Sequence, residues 1–266
     1  MMRLGCCVNM HASTDSRIGD ENVHIFSELG YDYVELPLAQ VIELSRGDFI
    51  EMCNRIQGHG IPVEACNNFF PASIRLTGED AILSNSLEYA RRATDLAAQM
   101  GAKVIVLGSS GAKNIPQGFP HDVAREQFLA LLHGLQDIVS PLGITIVLEP
   151  LNSAESNFIL NVAEGLAVVN EAGCENIKLL ADYYHMRVEG EAIDVLAKAG
   201  KNLRHVHIAA KEGRIFPKQD DGEDYTAFFE ALKAIGYNAR VSVEAYSKDI
   251  QSDGAAAAKL LRPLMT

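Results

Sequence analysis

The sequence predicts an α/β fold, a single (β/α)8 TIM barrel, on three observations: chain length, an eightfold alternation of apolar and amphipathic segments, and glycine at the joins. The 266 residues lie near the ~250 that such a barrel needs, and 48% hydrophobic with 22% charged is the mix of a globular protein. Eight short β-rich runs follow one another: Leu4–Asn9, Tyr31–Leu36, Pro62–Asn67, Lys103–Gly108, Ile144–Glu149, Ile177–Asp182, Arg204–Ile208 and Arg240–Ala245. Helical stretches lie between them. Over Asp80–Met100 the residues Ile82, Leu83, Leu87, Ala90, Ala93, Leu96 and Ala97 recur with the ~3.6-residue period of a helix face. Val123–Val139, Val162–Ala172, Ala192–Ala199, Tyr225–Ile235 and Ala255–Leu261 read the same way. Gly30, Gly60, Gly101, Gly143, Gly173, Gly200 and Gly236 each follow a helical run and precede a strand, where a helix end favours a residue able to take φ > 0. Strict alternation requires parallel strands with right-handed crossovers. Eight such units close into a barrel more naturally than into an open doubly wound sheet. No linker or low-complexity break interrupts the chain, so one domain over residues 1–266 is expected, with the alanine-rich Gly254–Ala258 inside the last helix.

Composition narrows the function. Twenty-three basic against 35 acidic residues give a net charge of −12, which argues against a nucleic-acid surface, because phosphate binding needs a clustered positive field. The five cysteines (Cys6, Cys7, Cys53, Cys66, Cys174) show no C-x-x-C spacing, so they read as small buried thiols of a reducing compartment. No run of about 18 apolar residues is present, and Met1–Gly5 does not open a signal peptide; a cytoplasmic protein is expected, with no membrane partner.

In a barrel of this type the chemistry gathers where the strands end, at their C-terminal rim. The fifth strand ends Val147-Leu148-Glu149, the sixth Leu180-Ala181-Asp182, the seventh carries His205-Val206-His207, and the eighth ends Ser242-Val243-Glu244. A lone carboxylate at a strand end often caps a helix, and a lone histidine often packs in a core. Together, three carboxylates and an imidazole on one rim would repel and desolvate one another without a cation. Glu149, Asp182, His207 and Glu244 are therefore candidate metal ligands, and the oxygen-rich set suits Mn²⁺ or Mg²⁺, with Co²⁺ and Zn²⁺ as alternatives. His207 is preferred over His205, which points to the same interior but sits deeper.

Four fragments extend this reading: Leu148-Glu149-Pro150-Leu151-Asn152-Ser153-Ala154-Glu155, Asp182-Tyr183-Tyr184-His185-Met186, His205-Val206-His207-Ile208-Ala209 with Arg214 after it, and Gly236-Tyr237-Asn238 leading to Val241-Ser242-Val243-Glu244. In order and spacing the chain resembles the xylose isomerase-like TIM barrel superfamily, nearest its ketose 3-epimerase and hydroxypyruvate isomerase group, over essentially its whole length. The resemblance implies that Glu149 and Glu244 are both metal ligands and catalytic acid/base groups. It implies that Glu155, His185 and Arg214 contact the substrate. Endonuclease IV, a relative with a trinuclear zinc site, is disfavoured: its extra histidines belong on strands three and four, which here end in Cys66-Asn67 and Gly108-Ser109.

The expected activity is that of a sugar isomerase or ketose 3-epimerase working by proton transfer through a cis-enediolate. Two alternatives stand beside it: a dehydratase of the inosose or dehydroshikimate type, and a non-catalytic sugar-binding barrel. The partner is a small sugar or sugar derivative, and homo-oligomers, common in the family, are left open. Substrate choice is expected from the loops after strands one to three: Asn9, Met10 and His11; Glu35, which either binds a hydroxyl or caps the loop at Pro37; and Asn67-Asn68-Phe69-Phe70-Pro71, whose aromatic pair either walls the sugar or packs its own loop. Gly108-Ser109-Ser110-Gly111 is too generic to count as a phosphate cradle.

Overall fold

The computed structural model describes residues 1–266. Eight parallel strands close on themselves in chain order: β1 Arg3–Cys7, β2 Tyr33–Pro37, β3 Val63–Asn67, β4 Val104–Leu107, β5 Thr145–Leu148, β6 Ile177–Asp182, β7 Leu203–Ile208 and β8 Arg240–Val243. Every expected strand is present; β6 keeps its bounds, β7 gains Leu203, β2 runs on to Pro37, and the others are shortened at one or both ends. Leu4–Asn9 becomes Arg3–Cys7 because Val8–His11 tightens into a 3-10 turn as the chain leaves the barrel. All seven joining glycines take φ between 48° and 94°.

The flanking helices bury one face each. Leu83–Met100 turns Tyr89, Ala90, Ala93, Thr94 and Ala97 toward the strands and stops at Gly101, whose φ of 94° lets its own N–H turn back to the last carbonyls. The final helix, Ile250–Leu264, is longer than the apolar pattern implies. Asp249 caps its first turn by accepting from the Ser252 N–H, and that turn is polar, so hydrophobic periodicity does not register it. A short helix after β6, Tyr183–Glu189, was absent from the pattern for a different reason: its seven residues are too few to show a period.

The barrel axis is filled by Tyr33, Ala65, Val104, Val106, Val147 and Leu180, while the larger apolar cluster lies between the strands and the helices. A Cβ on Gly5 would stand 2.2 Å from the Tyr33 ring, so the tyrosine of β2 requires the glycine of β1. At the N-terminal end of the barrel Glu64 takes Arg3 (2.5 Å) and Arg240 (2.8 Å), tying β3 to β1 and β8. The opposite end is left for inward-facing polar side chains. No helix is long and apolar enough to cross a membrane.

Candidate functional site

The period-two alternation of each strand sends every second side chain inward. It carries Glu149, Asp182, His207 and Glu244 to the C-terminal rim, where one ligand atom from each lies within 4.8 Å of the others. The sequence assembled this set from four separate strands, and the structure brings it together. His207 is fully buried, with Nδ1 at 3.0 Å from Glu149 Oε1 and 3.3 Å from Glu244 Oε2. Burial opposes a charge on this ring, but Glu35, Cys7, Glu244 and Glu149 outweigh it and push the imidazolium pKa well above its ordinary value.

Asp182 does two things at once. It ends β6 and caps the following helix, its Oδ1 accepting from the Tyr184 N–H at 2.7 Å. That hydrogen bond fixes the carboxylate plane and leaves Oδ2, which is buried without a hydrogen-bond partner. A buried carboxylate oxygen left bare is costly, and a cation beside it would remove the cost. Three carboxylates and an imidazole nitrogen thus fit a divalent metal.

His185, Glu155 and Arg214 also reach this rim. Asn152 donates to His185 Nδ1 from its side chain (2.8 Å) and its backbone (3.3 Å), which places the ring proton on Nε2. That Nε2 is buried, has no hydrogen-bond partner, and lies 3.5 Å from Asp182 Oδ2. The Asn152 amide also donates to Glu155 Oε1 at 3.0 Å, so one side chain aligns two of the expected substrate contacts. Arg214 occupies a tight turn with φ of 48° after Gly213. Its guanidinium lies over the Tyr184 ring at 4.7 Å and reaches Glu244 at 2.5 Å, Glu155 at 3.5 Å and Asp182 at 3.6 Å. Burial alone would raise the Glu244 pKa; Arg214, then His207, overcome it and hold the carboxyl down at about 2.

Three residues of the site were not singled out by sequence reasoning. Gly108 follows β4 facing Glu149: a Cβ there would stand 2.2 Å from Glu149 Oε2. Lys113 is fully buried and donates from Nζ to the Glu149 carbonyl at 2.8 Å; burial brings its pKa down to about 8 against the pull of Glu149. Asn152 appeared only as part of a longer fragment. Nothing local marks any of them, because each matters through a residue on another strand.

Glu35 departs from both sequence readings. It is fully buried below the rim, where its carboxylate is hydrogen-bonded to His205 and His207. Phe69 and Phe70 are buried, their rings 4.3 Å apart with Phe70 against Tyr89, so they pack their own loop. Asn67 and Asn9 bond to each other at 3.0 Å on the side of the mouth formed by β1 and β3.

Known proteins give this geometry a context. Residues 23–264 match the family described as xylose isomerase-like TIM barrel. An L-ribulose 3-epimerase of Methylomonas sp. strain DH-1 is 30% identical over 228 residues, spanning 83% of this chain and 76% of the relative. A ketose 3-epimerase of Arthrobacter globiformis is 26% identical over 226 residues, spanning 84% and 76%. A solved structure of a D-allulose 3-epimerase from Methylomonas sp., in complex with D-allulose, superposes with a TM-score of 0.86 at 23% identity, covering 98% of this chain and 96% of that one. At that identity the superposition speaks for the fold.

Proposed function

This chain belongs to the xylose isomerase-like TIM barrel family, and on that premise we propose that it is a divalent-metal-dependent ketose 3-epimerase working by proton transfer through a cis-enediolate. It is an enzyme of the carbohydrate epimerase and isomerase class. The observation that carries the finer reading is the convergence of Glu149 and Glu244, from β5 and β8, on one point beside His207 Nδ1. A protein that only binds sugar has no need of two carboxylates placed in this way.

A divalent cation would be held by Glu149, Asp182, His207 Nδ1 and Glu244 and would supply Lewis-acid polarisation of the ketose carbonyl and its neighbouring hydroxyl, acidifying the C–H bond of the carbon that bears that hydroxyl. The rest falls to the chain. One of the two glutamates takes the proton from C3; the C–H electron pair moves into a C2–C3 double bond and the carbonyl oxygen becomes an enolate. The other glutamate, entering as the acid, returns a proton to C3 from the opposite face. The first glutamate ends protonated and the second ionised, and exchange with solvent resets both. His185 donates its Nε2–H to a substrate oxygen, and its ring cannot turn away because Asn152 holds Nδ1. Arg214 pairs with Glu244 and, with Glu155, lines the rim at which the sugar hydroxyls enter.

The test is deuterium exchange from D₂O into a panel of ketoses, followed by NMR with Mn²⁺ or Mg²⁺, against EDTA-treated enzyme and the Glu149→Gln and Glu244→Gln variants. Metal-dependent label at C3 of both epimers, lost in either variant, is the expected result. Label at C1 instead would make the enzyme an aldose–ketose isomerase, and release of water would make it a dehydratase. No exchange across the panel would overturn the reading.

A further inference from the structure

Below the proposed cation site lies a second layer of polar groups that no solvent reaches. Glu35, on β2, extends across the barrel axis to β7: its Oε1 is 3.0 Å from His207 Nε2, and its Oε2 is 2.9 Å from His205 Nε2. Oε2 also accepts from the Ser242 hydroxyl at 2.7 Å, and Tyr33 OH meets that hydroxyl at 2.8 Å. Glu35, His205, His207 and Ser242 are all fully buried. A carboxylate in such a place costs several kcal/mol unless donors surround it, and here three donors share its two oxygens. The β2–β3 register shifts between Val34 and Glu35, the kind of irregularity that re-aims a side chain near a site.

We propose that Glu35 is the positioning residue of the metal centre: it holds the proton of His207 on Nε2 and so keeps the Nδ1 lone pair aimed at Glu149, Asp182 and Glu244. This rests on the metal-dependent reading given above. A neutral imidazole has one donor and one acceptor nitrogen. Both ring nitrogens face carboxylates, which can only accept; a cation among Glu149, Asp182 and Glu244 would displace the proton on Nδ1, and Glu35 would keep the one on Nε2. A ligating histidine whose other N–H meets a carboxylate is both fixed in orientation and more basic toward the metal. The alternative is purely structural, with Glu35 serving to neutralise buried histidines. The two differ in what happens when the charge is removed but the volume kept. A glutamine can donate its amide to Nε2, which leaves the ring's single proton on Nδ1, so that a metal displacing it would find no proton held on the other nitrogen.

Mn²⁺ titration of the apoprotein, with free ion read by electron paramagnetic resonance, separates them. Wild type, Glu35→Gln and Glu35→Asp are compared at a temperature where thermal melts show each one folded. Glu35→Gln is expected to bind Mn²⁺ about 10- to 100-fold more weakly, and Glu35→Asp, which retains the charge at a longer reach, to lie between it and wild type. A folded Glu35→Gln protein with wild-type Mn²⁺ affinity and only a lowered melting temperature would overturn the proposal. If Glu35→Gln does not fold, Glu35→Asp decides, and unchanged affinity there overturns it equally. Failure of the wild type itself to bind Mn²⁺ would remove the metal reading first, an outcome distinct from any difference among the variants.

Discussion

The two halves of the barrel mouth are built from the same repeating unit but contribute different things. Strands β5 to β8 end in Glu149, Asp182, His207 and Glu244, the groups with charge or a ligating lone pair. Strands β1 to β4 bring Cys7, Glu35, Asn67 and Gly108 to corresponding positions. Cys7 stays an uncharged thiol, because burial and then Glu35 push its pKa well up. Gly108 offers only space, and Glu149 occupies that space. Glu35, the one carboxylate among these four, turns inward to the histidines. One half therefore presents the proposed reactive groups, and the other sets where they stand.

The most severe break is to remove a charge from the second half. Glu149→Gln or Glu244→Gln should each lower deuterium exchange at C3 by about 10³-fold or more, combining the loss of a proton-transfer group with the loss of a proposed ligand. Exchange within tenfold of wild type would show that the charged half does not carry the chemistry. The next substitution acts from the other half and replaces no ionisable group. Gly108→Ala places a methyl group 2.2 Å from Glu149 Oε2, so the carboxylate must swing aside. A displacement of about 1 Å in a reacting group can cost about 10²-fold in rate. A loss of that size in kcat, in a protein that still melts cooperatively, would show the first half acting by space alone. Lys113→Met is milder. It deletes the hydrogen bond to the Glu149 carbonyl but keeps a long side chain in the buried site, and a loss of about tenfold in kcat is expected. A larger loss than that of Gly108→Ala would reverse the ranking of the two supports.

The contrast between the halves also explains what the sequence could disclose. The alternation, the seven joining glycines and the rim carboxylates are local features, each readable within a few residues, and the structure reproduces all of them. The group at Glu149, Asp182, His207 and Glu244 could be assembled because the barrel geometry says that consecutive strand ends converge. Glu35 defeated that logic. Its neighbours Val34, Leu36 and Pro37 indicate only a strand end, and its real partners are 170 and 172 residues away. Lys113 was passed over for the same reason, since a lysine four residues after Ser109 looks like any solvent-facing cation, and only its contact with the Glu149 backbone shows otherwise. Residues that act through another residue leave their signal on the partner, not on their own stretch of chain.

The smallest effect tests where the halves meet. His11, in the turn after β1, packs its ring 5.3 Å from Phe216, which follows β7, and its Nε2 is buried without a hydrogen-bond partner. Burial brings its pKa down from 6.5 to about 4, with Asp253 pulling weakly the other way. For a base with a depressed folded-state pKa, the unfolded chain binds the proton first as pH falls. His11 therefore costs nothing above about pH 6.5, costs progressively more between 6.5 and 4, and levels off below 4. Its share of the slope of stability against pH is positive in that window and at most about 1.4 kcal/mol per pH unit. His11→Phe removes the titrating nitrogen and its unmet hydrogen bond while keeping the stack on Phe216. In urea melts the stability difference between the two proteins should be constant near pH 8 and grow in favour of the variant below 6.5. Parallel stability curves from pH 4 to 8 would mean that water reaches His11 and that the two halves are not sealed against each other at this point.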